Sequence, residues 1–321
     1  MSGGICNKIH YNGSREAFMA AMTHLAQQDR KYILISADSK LAARAADFAK
    51  EYPANFVETG IAEQCAVDVA AGLAASGAVP FVATYAGFLT MRACEQMRTF
   101  VAYPNLSVRF IGLNAGMLGG EREGVTHQFY EDIGILRTIP NFKIICPSDQ
   151  SQVYQAVMAI ADIEGPVYIR IGSGREPLVF PEDAIPEFVF GKARILREYG
   201  SDVAVFTHGF VLDRAILAMD LLRGEGINGT LVEVHTINPF DYDTVCSVLA
   251  RCKRAITFED HFINGGLGTT VAEAIAEYQS AKLIRIGLKR FPESGTPDDL
   301  LKAYGIDSAD IVEAAKKLLY L

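Results

Sequence analysis

The chain repeats a two-beat pattern that few folds can satisfy. Short β-branched runs alternate with longer alanine-rich or amphipathic stretches. In the first series the runs are Ile33-Leu34-Ile35, Phe81-Val82-Ala83, Val108-Arg109-Phe110-Ile111, Ile144-Ile145 and Val167-Tyr168-Ile169. Between them lie Ala17–Gln27, Leu41–Lys50, Ala62–Ser76, Leu89–Val101 and Gln152–Ala161. Parallel strands need a crossover of a dozen or more residues, usually a helix. The spacing therefore predicts an α/β fold whose sheet is mostly parallel and covered by helices on both faces.

A second series follows residue 200. Its runs are Val203–Phe206, Leu231–Val234, Ala255–Phe258 and Leu283–Ile286, with helices expected near Leu212–Leu222, Tyr242–Arg251, Thr270–Tyr278 and Ala309–Leu319. Between the two series, Glu176–Phe190 carries Pro177, Pro181 and Pro186 and little helical periodicity. That break predicts two domains of one plan, residues 1–180 and 190–321. A length of 321 residues agrees, since single cores stop growing near ~250–300 residues.

Composition narrows the function classes. Half the residues are hydrophobic and 21% are charged, which excludes a disordered chain. A formal net charge of −8 argues against nucleic acid as a partner, because phosphate binding needs a basic face. Apolar runs such as Ala66–Ala75 are broken by Asp68 and Gly72 and fall short of a membrane span of ~20 residues. Met1–Asn12 has no apolar core of signal-peptide length, so a cytoplasmic protein is expected. Six cysteines, at 6, 65, 94, 146, 246 and 252, form no CxxC pair and have no histidine at metal-ligand spacing. Reduced, mostly buried thiols and no zinc site are expected.

Three patches carry chemistry. In Glu58-Thr59-Gly60-Ile61-Ala62-Glu63-Gln64 a strand ends, Gly60 turns the chain and a helix starts, with Glu63 in its first turn. Ligand sites of parallel sheets gather at that carboxyl edge. The helix that follows, Cys65–Ala75, is nearly all apolar and is expected to be buried, and desolvation there would fit a glutamate for proton transfer. First-turn acids are also simply favoured by the helix dipole, so position alone leaves both readings open. The second patch is Gly119–Gln128, a charged glycine-rich loop after a strand, whose His127 could exchange protons near neutral pH; an ordinary surface loop reads the same way. The third is Thr84–Phe88, where Tyr85 and Phe88 could cup a flat ring or could be core.

At these residues the chain resembles the C-terminal half of transketolases, in the split form built from two polypeptides. The resemblance rests on Thr59-Gly60-Ile61-Ala62-Glu63-Gln64, Phe88-Leu89-Thr90, Ala102-Tyr103-Pro104, Gly124-Val125-Thr126-His127-Gln128 and Arg137–Asn141. It continues through Val234–Pro239, Glu259-Asp260-His261, Gly265–Gly268 and Phe291–Gly295. It implies a pyrimidine-binding domain, a transketolase C-terminal domain, and a thiamine-diphosphate enzyme that moves a two-carbon ketol unit from a ketose to an aldehyde. Glu63 would hydrogen-bond the cofactor's aminopyrimidine, Tyr85 and Phe88 would enclose that ring, and Asp38 would line its site. His127 would face the substrate oxygens.

The family's diphosphate is held through Mg²⁺ on a GDG motif, and this sequence contains no GDG. Hence the resemblance implies an N-terminal partner subunit that holds the Mg²⁺, in a heterotetramer of two copies each. Sugar-phosphate transketolases often carry a histidine and a serine where this chain has Asn114 or Ala115, and Ala42. Glu123 replaces an expected loop aspartate. Arg15 and Arg170, with Arg175 nearby, suit an anionic donor by bidentate bonds. Runner-up relatives are the β subunit of a 2-oxo-acid dehydrogenase's decarboxylating component and 1-deoxyxylulose-5-phosphate synthase. His208 and His235 read as structural, and His10 and His24 have no visible context.

Overall fold

The computed structural model describes residues 11–181 and 184–320; Cys6 and His10 lie outside them. The first series forms β1 (Tyr32–Ser36), β2 (Phe56–Glu58), β3 (Val79–Tyr85), β4 (Arg109–Leu113), β5 (Lys143–Ile145) and β6 (Val167–Arg170). The second forms β7 (Arg194–Glu198), β8 (Ala204–Thr207), β9 (Thr230–Glu233), β10 (Thr236–Asn238), β11 (Arg254–Phe262) and β12 (Lys282–Leu288). They build a seven-stranded sheet, β10-β5-β6-β4-β3-β1-β2, and a five-stranded sheet, β12-β11-β8-β9-β7. All pairings are parallel except β10 with β5 and β7 with β9.

Alternation along each strand sorts the core. Ile35, Val82, Phe110, Ile144 and Tyr168 pack on one face of the large sheet. Their neighbours Leu34, Phe81, Ile111, Ile145 and Ile169 pack on the other, with the helices Ser14–Gln28 and Gln150–Ile160. Successive side chains point to opposite faces, so an unbroken apolar run makes both faces apolar, as a doubly covered sheet requires.

The structure departs from the sequence reading at several elements. The helix expected over Leu41–Lys50 begins only at Ala46, because Arg44 sits at φ 62 and breaks the turn before it. The stretch Leu89–Val101 is helical but wound partly as π turns, Phe88–Arg92 and Met97–Ala102. The second series also lends β10 to the first sheet. There it pairs with β5 at Thr236 opposite Ile145, and His235 carbonyl accepts from Cys146 N at 2.8 Å. One apolar cluster accordingly runs from Phe110 and Phe142 to Phe206, Val232 and Val248 without a gap.

Charge crosses the same seam. Arg170 at the end of β6 donates to Asp132 at 3.0 Å and to Asp260 on β11 at 2.6 Å, and none of the three side chains is more than 1% exposed. The Tyr168 hydroxyl donates to Asp132 at 2.7 Å. Burial opposes ionisation of Asp132, but Arg170 and His261 outweigh it and hold the carboxyl below its ordinary pKa. Glu259 next door accepts from Leu267 N and Gly268 N, both at 2.8 Å, and so caps the helix Leu267–Tyr278.

His235 is buried against Phe188, with ring centroids 4.5 Å apart, and Thr236 Oγ1 lies 3.0 Å from its Nδ1. Burial first, then the charge of Arg194, pushes its pKa down to about 4. Above the unfolded value near ~6.5 the ring is neutral in both states, and its contribution is fully present. As pH falls from there toward about 4, only the unfolded chain takes up the proton and stability is lost. Wild type should therefore lose roughly 2–3 kcal/mol more than His235→Gln between pH 7.5 and 4.5. Urea unfolding of both proteins at the two pH values checks this; equal losses would refute it.

Candidate functional site

Because β2, β1, β3 and β4 are adjacent and parallel, their carboxyl ends share one edge. Ser36 lies opposite Glu58 and Ala83, and Tyr85 opposite Leu113. That register delivers Asp38, Glu63, Tyr85, Phe88 and Asn114 to one side of the sheet. Two turns are tied together there by Glu58, whose Oε1 accepts from Asp38 N at 2.8 Å and from Gly60 N at 3.1 Å. Gly60 sits at φ 71, a conformation that suits glycine, and lets the chain turn into the helix Glu63–Ala75. Glu63 opens that helix and is buried.

Beyond β3, Tyr85 and Phe88 meet edge to face, centroids 5.2 Å apart. The ring of His127 stands edge-on to both, at 5.0 Å from Tyr85 and 5.6 Å from Phe88. Its Nδ1 lies 2.9 Å from Thr126 Oγ1. Phe129 backs Phe88 at 5.5 Å, and a Cβ on Gly87 would fall 1.8 Å from the Phe129 ring, so the shelf needs glycine there. The loop that carries His127 is equally tight. A Cβ on Gly119 would lie 2.2 Å from the Asn114 carbonyl carbon, and one on Gly120 2.2 Å from the His127 oxygen.

Sequence reasoning missed Arg92. Its Nη1 donates to Glu63 Oε1 at 2.9 Å, and its guanidinium lies over the Phe88 ring, 3.8 Å from the centroid. The segment Phe88–Arg92 is wound as a π turn, so no helical spacing in the sequence announces either contact. Glu63, Arg92, Phe88, Tyr85 and His127 thus form one continuous strip. Asp38, at φ 49, is exposed at its margin.

Arg15, on the helix Ser14–Gln28, binds the loops beside the strip. It donates to Gly172 O at 3.3 Å, to Ala42 O at 3.0 Å and to Asn114 Oδ1. Each of its three nitrogens therefore serves an oxygen of this chain. Burial lowers its pKa, while Tyr85 and Glu176 pull the other way. Asn114, at φ 53, is buried beside it.

Other expected residues are not brought here. Arg170 is spent in the buried seam with Asp132 and Asp260 and has no surface to offer a substrate. Glu123 is exposed, and the acid that the loop buries is Glu121, paired with Arg175 at 3.3 Å. Arg175 is the exception: beyond its pair with Glu121 its guanidinium stays half-exposed beside the loop that carries His127. Among the described residues no three His, Cys, Asp or Glu side chains converge as a metal site, and no helix is long and apolar enough to cross a membrane.

The helix Glu63–Ala75 also differs from expectation. It turns Ala66, Val67, Ala70 and Ala71 inward but leaves Gln64, Cys65, Asp68 and Gly72 exposed. Cys65 is thus an accessible thiol, whereas Cys146 and Cys252 are buried. Around the site Ile61 and Leu41 are 77% and 74% exposed. An apolar helix that a single chain covers on one face only is unfinished surface.

Residues 13–175 match the family described as transketolase, pyrimidine binding domain, and residues 191–311 match transketolase, C-terminal domain. The chain is 36% identical over 306 residues to a putative transketolase C-terminal section of Methanocaldococcus jannaschii, covering 94% of this chain and 95% of that one. It is 34% identical over 312 residues to the 6-deoxy-6-sulfo-D-fructose transketolase subunit SqwH of a Clostridium strain, covering 97% and 96%. A solved split-gene transketolase, described as an inactive β4 tetramer, superposes with a TM-score of 0.86 at 34% identity, covering 97% of this chain and 99% of that one.

Proposed function

The chain belongs to the transketolase family, and from that premise we propose that it is the C-terminal subunit of a two-polypeptide enzyme. That enzyme transfers a two-carbon ketol unit from an anionic ketose to an aldehyde, with thiamine diphosphate. One observation carries the reading: a buried glutamate, Glu63, stands at the carboxyl edge of a parallel sheet beside an aromatic shelf made of Tyr85 and Phe88. A flat N–H-bearing group, the Arg92 guanidinium, already satisfies that carboxylate and that ring face at once. The same two surfaces therefore fit an aminopyrimidine.

When bound, the cofactor supplies a nucleophilic carbon and an electron sink for cleavage next to a ketose carbonyl. The protein's own residues do the rest. Glu63 would accept a hydrogen bond from the ring nitrogen and hold the proton there, and its burial would strengthen the bond. Tyr85 and Phe88 enclose the ring and exclude water. His127, braced against both aromatics, faces the substrate oxygens and moves a proton to or from them. Asp38 lines the margin of the ring site. Arg15 and Asn114 lock the loops at positions 42, 114 and 172, and Arg175, paired with Glu121 but half-exposed, turns its remaining N–H groups to a donor phosphate or sulfonate.

The diphosphate and its Mg²⁺ belong to the partner. The chain has no GDG motif, and the SqwH relative is itself a subunit. The half-covered Glu63–Ala75 helix, with Ile61 and Leu41 beside it, supports a partner seated at the site. Two copies of each polypeptide complete the assembly. The test is an assay of the purified chain with cofactor, Mg²⁺ and a panel of phosphorylated, sulfonated and neutral ketoses, with and without its co-purified partner. Ketol transfer should appear only with the partner and should favour anionic donors by tenfold or more in kcat/KM, about 1.4 kcal/mol. Full activity of the chain alone would overturn the split reading.

A further inference from the structure

We propose that Arg92 is a built-in stand-in for the cofactor ring, so that cofactor capture is an exchange of one planar donor for another. This rests on the function proposed above. The guanidinium and an aminopyrimidine share three properties: both are flat, both present N–H groups at an edge, and both stack on an aromatic face. Arg92 uses all three at once. It donates to Glu63 Oε1 at 2.9 Å and lies 3.8 Å from the centroid of Phe88. Those are the carboxylate and the ring assigned to the cofactor. A surface ion pair would need only the first contact.

The surroundings explain why such a device is useful. Glu63 is buried, and a buried carboxylate without a partner is costly. Before the partner subunit and cofactor arrive, something must satisfy it, and among the described contacts only Arg92 does. Arg92 is also free to leave. Its side chain is 52% exposed, and it sits in the π-wound turn Phe88–Arg92. Such turns are mostly single-turn bulges within helices and are frequent at functional sites. Leaving would move one side chain out toward solvent and leave the rest of the strip in place. Phe88 keeps Tyr85, His127 and Phe129 around it without Arg92.

An occupied slot lowers apparent affinity by the fraction of time it is open. If Arg92 fills it for about 80–95% of the time, removing the arginine should tighten cofactor binding roughly 5- to 20-fold. A residue that merely buttressed the site would do the opposite on removal. The experiment is titration of thiamine diphosphate, with Mg²⁺ present, into the complex of this chain and its partner, read by calorimetry. Arg92→Gln should give the lower dissociation constant, and Arg92→Lys, which keeps the charge but not the plane, an intermediate one. An unchanged or higher dissociation constant for Arg92→Gln overturns the proposal. A crystal structure of the wild-type complex with cofactor gives a second measure that needs no variant. Arg92 should have left Glu63, and an arginine still bound to that carboxylate overturns the proposal. If the wild-type complex takes up no thiamine diphosphate at all, the function itself is wrong and this proposal falls with it. Uptake that ignores residue 92 sinks the exchange alone.

Discussion

Glu63→Gln is expected to cut ketol transfer by the reconstituted enzyme roughly 10²–10⁴-fold, the range of a positioned acid–base group. The change is nearly isosteric and keeps a hydrogen-bonding head, so the helix Glu63–Ala75 should still start where it does. What disappears is the negative charge. A carboxamide cannot stabilise a proton on the ring nitrogen opposite it, and it can turn its own donor toward that nitrogen instead. Cofactor should still bind, because the contacts proposed for the diphosphate and for the aromatic shelf do not involve residue 63. The diagnostic result is therefore a collapse of kcat with the complex assembled and loaded. A variant that retains a tenth or more of wild-type turnover would remove Glu63 from the chemistry. The complementary variant, Glu63→Ala, leaves the Arg92 guanidinium without its acceptor and should be no more active.

The second large effect is on stability and lies well away from the strip. Arg170→Met should destabilise the chain by about 3–5 kcal/mol, because it strands two carboxylates in the seam. Asp132 and Asp260 are both fully buried and both lean on Arg170. Asp260 has little in reserve, since its Oδ2 already lacks a partner. Asp132 would keep the Tyr168 hydroxyl but lose the charge that holds its pKa down. For a chain of this size the thermal midpoint should fall by on the order of 10 °C. Replacing the three charges together, Arg170→Met with Asp132→Leu and Asp260→Leu, should recover much of the loss, because the cost lies in the unpaired charges rather than in the missing contact. A single Arg170→Met variant within 1 kcal/mol of wild type would show that water reaches the seam.

These two residues also mark where sequence reading succeeds and where it stops. Strand and helix positions were legible because periodicity is local. Ile33–Ile35 and Phe81–Ala83 lie inside β1 and β3, and the helix expected over Ala62–Ser76 runs from Glu63 to Ala75. The gathering of Glu63, Tyr85, Phe88 and His127 was legible because parallel strands deliver their carboxyl ends to one edge. Side-chain direction was not. Arg170 ends a strand at that same edge, yet it turns toward β11, a partner 90 residues away that no local pattern can announce. The burial of Glu121 rather than Glu123 likewise depends on Arg175, more than 50 residues on. Arg92 was hidden for a subtler reason. A π-wound turn does not follow the 3.6-residue period on which helix faces are read, so its contact with Glu63 appears only in three dimensions. The short strands β7 and β10 were missed because each completes the edge of a sheet and gains its order from its neighbour.

The loan of β10 has a practical meaning for anyone who recombines parts of such proteins. Cutting at the proline-rich connector and attaching a C-terminal lobe from a relative would not move one lobe. It would also exchange the outermost ribbon of the N-terminal sheet, and a foreign ribbon that does not fit would leave the Lys143–Ile145 backbone as a raw margin. Chimaeras that retain the native Thr236–Asn238 segment, or that import a relative's segment together with its matching β5, should stay monodisperse. Those that mismatch the two should aggregate through that margin.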